Sequence, residues 1–178
     1  LDEPLAAFLA YLSMSMEPLA ELLSVPRLLL VFDFGGGTCD IDIFRLSCQD
    51  TGNTVALASL AVSRYHRLGG GDMDTAIVHK VLLPQLQEQN SLGRFALEYT
   101  QKKKLESVLL GIAESLKINI CREMTRRKGL GIYGKDGLEQ TISRLPGVYS
   151  CLLRDKELKL ENPSINAAQF EGAAGTFP

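Results

Sequence analysis

The sequence predicts an α/β fold, and three observations carry that expectation. Leu28 to Phe32 is an apolar run that ends on Asp33 and three glycines, after which Ile41 and Ile43 alternate with Asp42; this reads as a β-hairpin. Between Phe95 and Met124, Leu105, Val108, Leu109, Ile112, Ala113, Leu116 and Ile120 recur at three- and four-residue intervals, the stripe of a long amphipathic helix. From Gly129 onward, short β-type runs alternate with turn residues.

A chain of 178 residues with 46% hydrophobic content can bury a real core, as one domain or as two small lobes. The formal charge of -2 gives no reason to expect nucleic acid or an anionic membrane as partner. Cys39, Cys48, Cys121 and Cys151 are scattered without a CxxC pair, and only His66 and His79 could join them. This spacing argues against a zinc site or a disulfide framework and suits a reducing cytoplasm. No apolar run is long enough to span a bilayer and no basic-then-apolar leader opens the chain. Because it begins at Leu1 without Met, the expectation is a piece of a longer protein.

In order along the chain, Asp2-Glu3-Pro4 suits the start of a helix, with acids near the positive end of the dipole and a proline whose missing N–H costs nothing there. The helix continues over Leu5 to Leu12. Pro18 can open a further turn and Pro26 closes the connection before the strand at Leu28. That strand, Leu28 to Phe32, is expected to be buried, and the return strand half-buried. Ser47 to Asn53 reads as a turn, and Thr54 to Arg67 as another strand ending near His66. Gly69-Gly70-Gly71-Asp72 then leads into a helix, with Asp72 as N-cap and Met73, Ile77, Val78, Val81 and Leu82 on one stripe until Pro84 bends or ends it. Gln85 to Arg94 is polar and is expected to form a loop.

The run Lys102-Lys103-Lys104 is expected to be a solvated face, and Glu114, Lys117 and Cys121 share a second stripe of the long helix. Strands are expected over Gly129 to Tyr133, Leu138 to Ser143, Val148 to Leu153 and Glu157 to Leu160. Gly129, Gly131 and Gly134 satisfy GxGxxG literally, but follow a basic run and lead into a turn, so a dinucleotide site is rejected. Asn166 with Gln169 makes a capping box for a last helix.

The chemistry that these residues permit centres on the hairpin turn. Without Cβ atoms at Gly35, Gly36 and Gly37, backbone N–H groups can approach a phosphate, the Thr38 hydroxyl can add a hydrogen bond, and Asp33 and Asp40 can hold a hydrated Mg²⁺. An ordinary glycine hairpin remains the plainer reading of the triplet alone. The Gly69 to Gly71 loop entering a helix is equally an anion site or a flexible loop with a good cap. Glu114 and Lys117 are either a surface pair worth roughly 0.2–0.5 kcal/mol or a grip on sugar hydroxyls.

Three stretches together resemble one family. VFDFGGGTCDIDIF is similar to the second phosphate motif of the heat shock protein 70 (DnaK-type) chaperones, of the actin-like ATPase superfamily. DEPLAAFLAYL is similar to that family's segment between the lobes of the nucleotide-binding domain, and LGGGDMD to its loop entering the outer subdomain. Fainter similarity continues through IAESLKINI and INAAQFE. The resemblance implies an actin-like (ribonuclease H-like) lobe with a mixed β-sheet and flanking helices, plus a smaller α+β outer subdomain. It divides the chain into a connecting helical segment (1–27), an inner subdomain (28–66 and 165–178) and an outer subdomain (67–164).

Carried over by position, it implies that Gly35, Gly36, Gly37 and Thr38 contact the β- and γ-phosphates of ATP or ADP. Asp33 and Asp40 would organise Mg²⁺ and its waters, and Glu3 would lie near the attacking water. Gly69 and Gly70 would approach the phosphates from the other side of the cleft. Glu114 and Lys117 would hold the ribose, with Cys121 standing at an adenosine position where the family has serine. Gly71 replaces an acid and Ile118 a basic residue. The implied parent is a cytoplasmic ATPase that works on unfolded peptide with co-chaperones, while this chain alone would hydrolyse ATP weakly or not at all. An actin-like filament protein, a sugar kinase and a non-catalytic interaction protein are the alternatives.

Overall fold

The computed structural model describes residues 3–14, 25–49, 54–63, 69–93, 95–153 and 156–175. The fold is mixed α/β with small antiparallel sheets, divided into two compact units, Leu1–Gly70 and Gly71–Pro178.

The first unit is a helix, α1 (Glu3–Met14), and a three-stranded antiparallel sheet in the order β1 (Arg27–Phe34), β2 (Cys39–Gln49), β3 (Thr54–Val62). Phe8 of α1 and Leu46 of β2 form its buried centre, with Leu5, Leu12, Leu29 and Val55 packed around them. The β1–β2 register pairs Val31 with Asp42 and Leu29 with Phe44, so Asp42, Phe44 and Leu46 lie on the helix-covered face. Asp42 is 5% exposed, whereas Ile41 and Ile43 are half-buried on the opposite face. β1 is also not the buried strand its composition suggests. Leu28, Leu30 and Phe32 are 70%, 62% and 59% exposed, because α1 covers only the face carrying Leu29 and Val31. The rings of Phe32 and Phe34 stack on that exposed face, 6.4 Å apart.

β2 continues to Gln49, so Ser47 to Gln49 belong to the strand and not to the expected turn; the rest of that turn, and the end of the expected strand at Tyr65 and His66, lie outside the described residues. A bulge between Ile43 and Phe44 shifts the β2–β3 register. Past the end of β3, the Ser63 N–H donates to the Ile41 carbonyl (2.7 Å) and the Ser63 hydroxyl accepts from the Ile41 N–H (2.9 Å), prolonging the ladder.

The second unit is built on α4 (Tyr99–Gly129), whose Leu105, Leu109, Ile112, Ala113, Leu116, Ile120 and Met124 are buried as the periodicity predicts. Val108 departs from that stripe and is 53% exposed. Helix α4 begins at Tyr99 because Glu98 and Gln101 form a capping box; Phe95, expected inside it, lies outside. Helices α2 (Gly70–Ile77) and α3 (Leu83–Gln89) are joined by a π-helical turn, Val78–Leu82, in which the Leu83 N–H donates to the Val78 carbonyl. Pro84 therefore neither bends nor ends the helix at once: the wide turn precedes it, and it occupies the first turn of α3, where a missing N–H is tolerated. Asp72 is a first-turn acid and not the N-cap, since α2 already starts at Gly70.

The remaining strands are β4 (Ile142–Arg144), β5 (Val148–Leu153), β6 (Lys156–Glu161) and β7 (Ser164–Asn166); β4 pairs with β7 and β5 with β6. Gly129 to Tyr133 is not a strand. Helix α4 runs to Gly129, and Gly131, Gly134 and Gly137 take left-handed φ values of 66°, 75° and 90° in the turns that follow. Only the end of the expected Leu138 to Ser143 strand forms, after a 3₁₀ turn at Leu138–Gln140. The last helix, α5 (Ala167–Ala174), has the expected Asn166–Gln169 capping box. Ile165, Ala167 and Ala173 belong to the same core as α4.

One device holds α3 to the strands. Gln85 bonds both the N–H and the carbonyl of Ser164, Gln89 those of Glu161, and Asn90 those of Lys159, at 2.6–3.2 Å. Each carboxamide offers one donor and one acceptor, as a peptide unit does, so three side chains substitute for a neighbouring strand along this edge. The segment expected to be a polar loop, Gln85 to Arg94, is for this reason helical to Gln89.

Candidate functional site

The hairpin turn joins β1 to β2, with Asp33 paired to Asp40 and Phe34 to Cys39. Residues directly opposite in an antiparallel ladder share a face, so the two carboxylates stand side by side on one face of the sheet, with Asp42 one pleat further along it. Cys39 is buried and Thr38 half-buried. The turn closes through a hydrogen bond from the Gly35 N–H to the Thr38 carbonyl at 2.8 Å.

The glycines of this turn are not explained by backbone strain. The left-handed glycines among the described residues are Gly131, Gly134, Gly137 and Gly147, and none lies in the turn. A Cβ added at Gly36 or Gly37 would meet no atom within 4 Å. Two positions that the fold would let carry a side chain thus expose bare backbone beside two carboxylates. That is a cradle a Cβ would fill, and it fits a phosphate approaching main-chain N–H groups. No group of three or more His, Cys, Asp or Glu suited to a metal occurs among the described residues. Mg²⁺ commonly binds through one or two carboxylates with waters and substrate phosphates completing its shell, so the Asp33/Asp40 pair suits that ion.

Gly69 is different. A Cβ there would lie 2.5 Å from the Gly37 nitrogen and 2.6 Å from the Gly36 carbonyl carbon, so glycine is required for the backbone to lie against the turn. The Gly70 N–H donates to the Gly35 carbonyl at 3.0 Å. The structure therefore places Gly69 and Gly70 directly on the hairpin turn as its buttress. This contact was not legible from either motif alone.

On α4, Glu114, Lys117 and Cys121 lie along one stripe, with Ile118 between them and 42% exposed. Lys117 Nζ donates to Asp74 Oδ2 of α2 at 2.8 Å. Asp74 is 7% exposed, and burial raises its carboxyl above the usual carboxylate range; the hydrogen bond and charge of Lys117 oppose this, and Glu114 adds to it. The motif reading passed over Asp74, although an acid on the polar side of the LGGGDMD helix is a visible signal. Burial also raises the Cys121 thiol, with Lys117 and Lys128 pulling the other way. Glu3 opens α1. No helix among the described residues is long and apolar enough to cross a membrane.

Comparison with known proteins fits these motifs. The family model described as "Hsp70 protein" matches residues 1–144. The chaperone protein HscA of Buchnera aphidicola is 27% identical over 165 residues, covering 91% of this chain and 24% of the relative. The chaperone protein dnaK1 of Synechocystis is 34% identical over 113 residues, 60% of this chain and 14% of the relative. The chain thus spans about a quarter or less of the curated relatives it matches. With a family model covering most of its length, the chain belongs to the Hsp70 family.

Proposed function

We propose that the chain is one lobe of the ATP-binding domain of a longer, cytoplasmic Hsp70-type chaperone, whose complete polypeptide binds and hydrolyses ATP to control its hold on unfolded peptide, with co-chaperones as further partners. The lobe is of the actin-like kind, with residues 28–66 in the inner subdomain and 67–164 in the outer one; the stretch 165–175, expected with the inner subdomain, packs here in the same unit as the outer one. The observation that carries this reading is the cradle of Gly36 and Gly37, bare of side chains without steric need, beside the paired Asp33 and Asp40.

Phosphoryl transfer to water asks a protein chiefly for positioning and charge neutralisation. Gly35, Gly36, Gly37 and Thr38 would contact the β- and γ-phosphates, and Asp33 and Asp40 would hold Mg²⁺ and its waters. When bound, Mg²⁺ neutralises charge on the phosphate oxygens. Gly69 and Gly70, which lie against the turn through the contacts to Gly37 and Gly35, approach the phosphates from the other side. Glu3 orients the attacking water. Glu114 and Lys117 hold the ribose, and Cys121 borders the adenosine.

The test is ATP hydrolysis by the complete polypeptide with Mg²⁺, alongside this chain alone. The expected result is turnover by the former that Asp33→Asn abolishes, and weak or no turnover by the latter. Turnover that survives Asp33→Asn would sink the assignment.

A further inference from the structure

A buried carboxylate of α2 packs against α4 with one of its two oxygens paired. Asp74 is 7% exposed; its Oδ2 accepts from Lys117 Nζ at 2.8 Å, while its Oδ1 is buried without a hydrogen-bond partner. Leaving a buried acceptor unpaired costs stability, and removing charge from water costs more, so a structural part would be better served by a neutral or apolar side chain. Glu114, one helical turn before Lys117, lies close enough to disfavour the Asp74 charge further. Burial and a like-charged neighbour both disfavour the Asp74 charge, and its hydrogen-bond partner is Lys117.

From this geometry we infer that Asp74 is a positioning residue: it draws the Lys117 ammonium across the α4 surface and fixes it for the hydroxyls of a bound ribose. A lysine carries four rotatable bonds, and an exposed one spreads its ammonium over many positions. The ion pair with Asp74 removes that freedom, and Lys117 is left 19% exposed at its side chain. Three ammonium donors serve at once the carboxylate and a diol, whereas Glu114, exposed on the same stripe, supplies an acceptor. The result is a donor and an acceptor one turn apart, which suits vicinal hydroxyls. Asp74 itself does not touch the ligand, since its free oxygen is buried. This inference rests on the ATP-binding reading above.

The experiment measures dissociation constants of MgATP and of its 2′-deoxy and 3′-deoxy analogues for the complete polypeptide. The proteins compared are wild type, Asp74→Asn, Lys117→Met and the double variant, with thermal stability recorded for each. Asp74→Asn keeps shape and removes charge. It is expected to reduce the preference for the full ribose at least about fivefold, to leave stability equal or higher, and to have no further effect in the Lys117→Met background. If Lys117→Met removes the preference and Asp74→Asn leaves it intact, the positioning role is overturned while the ribose role of Lys117 stands. A wild-type preference that survives Lys117→Met overturns both roles but not ATP binding. Absence of saturable MgATP binding by wild type overturns the inference together with the reading beneath it.

Discussion

The two units use their apolar residues in opposite ways. In Gly71–Pro178, the stripe of α4 meets Ile77 to Leu86 and the strand residues Leu158, Leu160 and Ile165 in one continuous core. In Leu1–Gly70, Phe8 and Leu46 are the buried centre, while Leu28, Leu30, Phe32 and Phe34 line an exposed sheet face. The same contrast holds for glycine: left-handed turns require Gly131, Gly134, Gly137 and Gly147 in the second unit, whereas Gly36 and Gly37 in the first meet no such demand. Residues that their own fold leaves unexplained are the ones to examine for a ligand, and here they flank the Asp33/Asp40 pair.

The largest expected difference comes from truncating equivalent leucines. Leu116→Ala, at a position with 0% exposure, should cost about 2–5 kcal/mol in urea unfolding. Leu30→Ala, 62% exposed, should cost under about 1 kcal/mol in this chain. Equal losses would break the contrast. The glycines sharpen it next. Gly69→Ala forces a Cβ against the Gly37 backbone and should destabilise the first unit by about 1–3 kcal/mol, whereas Gly36→Ala should change stability by no more than about 0.5 kcal/mol. Circular dichroism melts of both variants give the comparison.

The carboxamide edge tests the second unit from its polar side. Gln89→Ala unpairs the Glu161 N–H and carbonyl and should cost about 1–2 kcal/mol, while Gln87→Ala, on the same helix but away from the strand edge, should cost less. The smallest effect is at alkaline pH. Burial, with the hydrogen bond to Glu171, pushes the Tyr133 phenol from 10.0 up to about 12. The folded state then holds the proton more tightly, so this contribution is complete below the unfolded value and fades as pH rises through about 12. Tyr133→Phe should remove that alkaline step from the stability profile.

Local chemistry was legible where it decided the structure. The hairpin was readable because a turn signal separated two alternating runs, and the Asn166–Gln169 box because both partners lie within one helical turn. What escaped was set by distant partners. Gln85, Gln89 and Asn90 look like loop residues until Lys159, Glu161 and Ser164 are beside them. β1 looks buried because composition reports apolarity and not which face a helix will cover. At the site, the acids and glycines were visible from spacing, but the buttress of Gly69 against Gly37 and the Asp74–Lys117 pair join residues far apart in the chain.

The central claim is that the bare backbone at Gly36 and Gly37 is kept for a phosphate. Equilibrium titration of the complete polypeptide with MgATP, wild type against Gly36→Ala, tests it most directly. The account predicts saturable binding by wild type and at least about tenfold weaker binding by the variant with its stability unchanged. Equal affinity of the two proteins would contradict it.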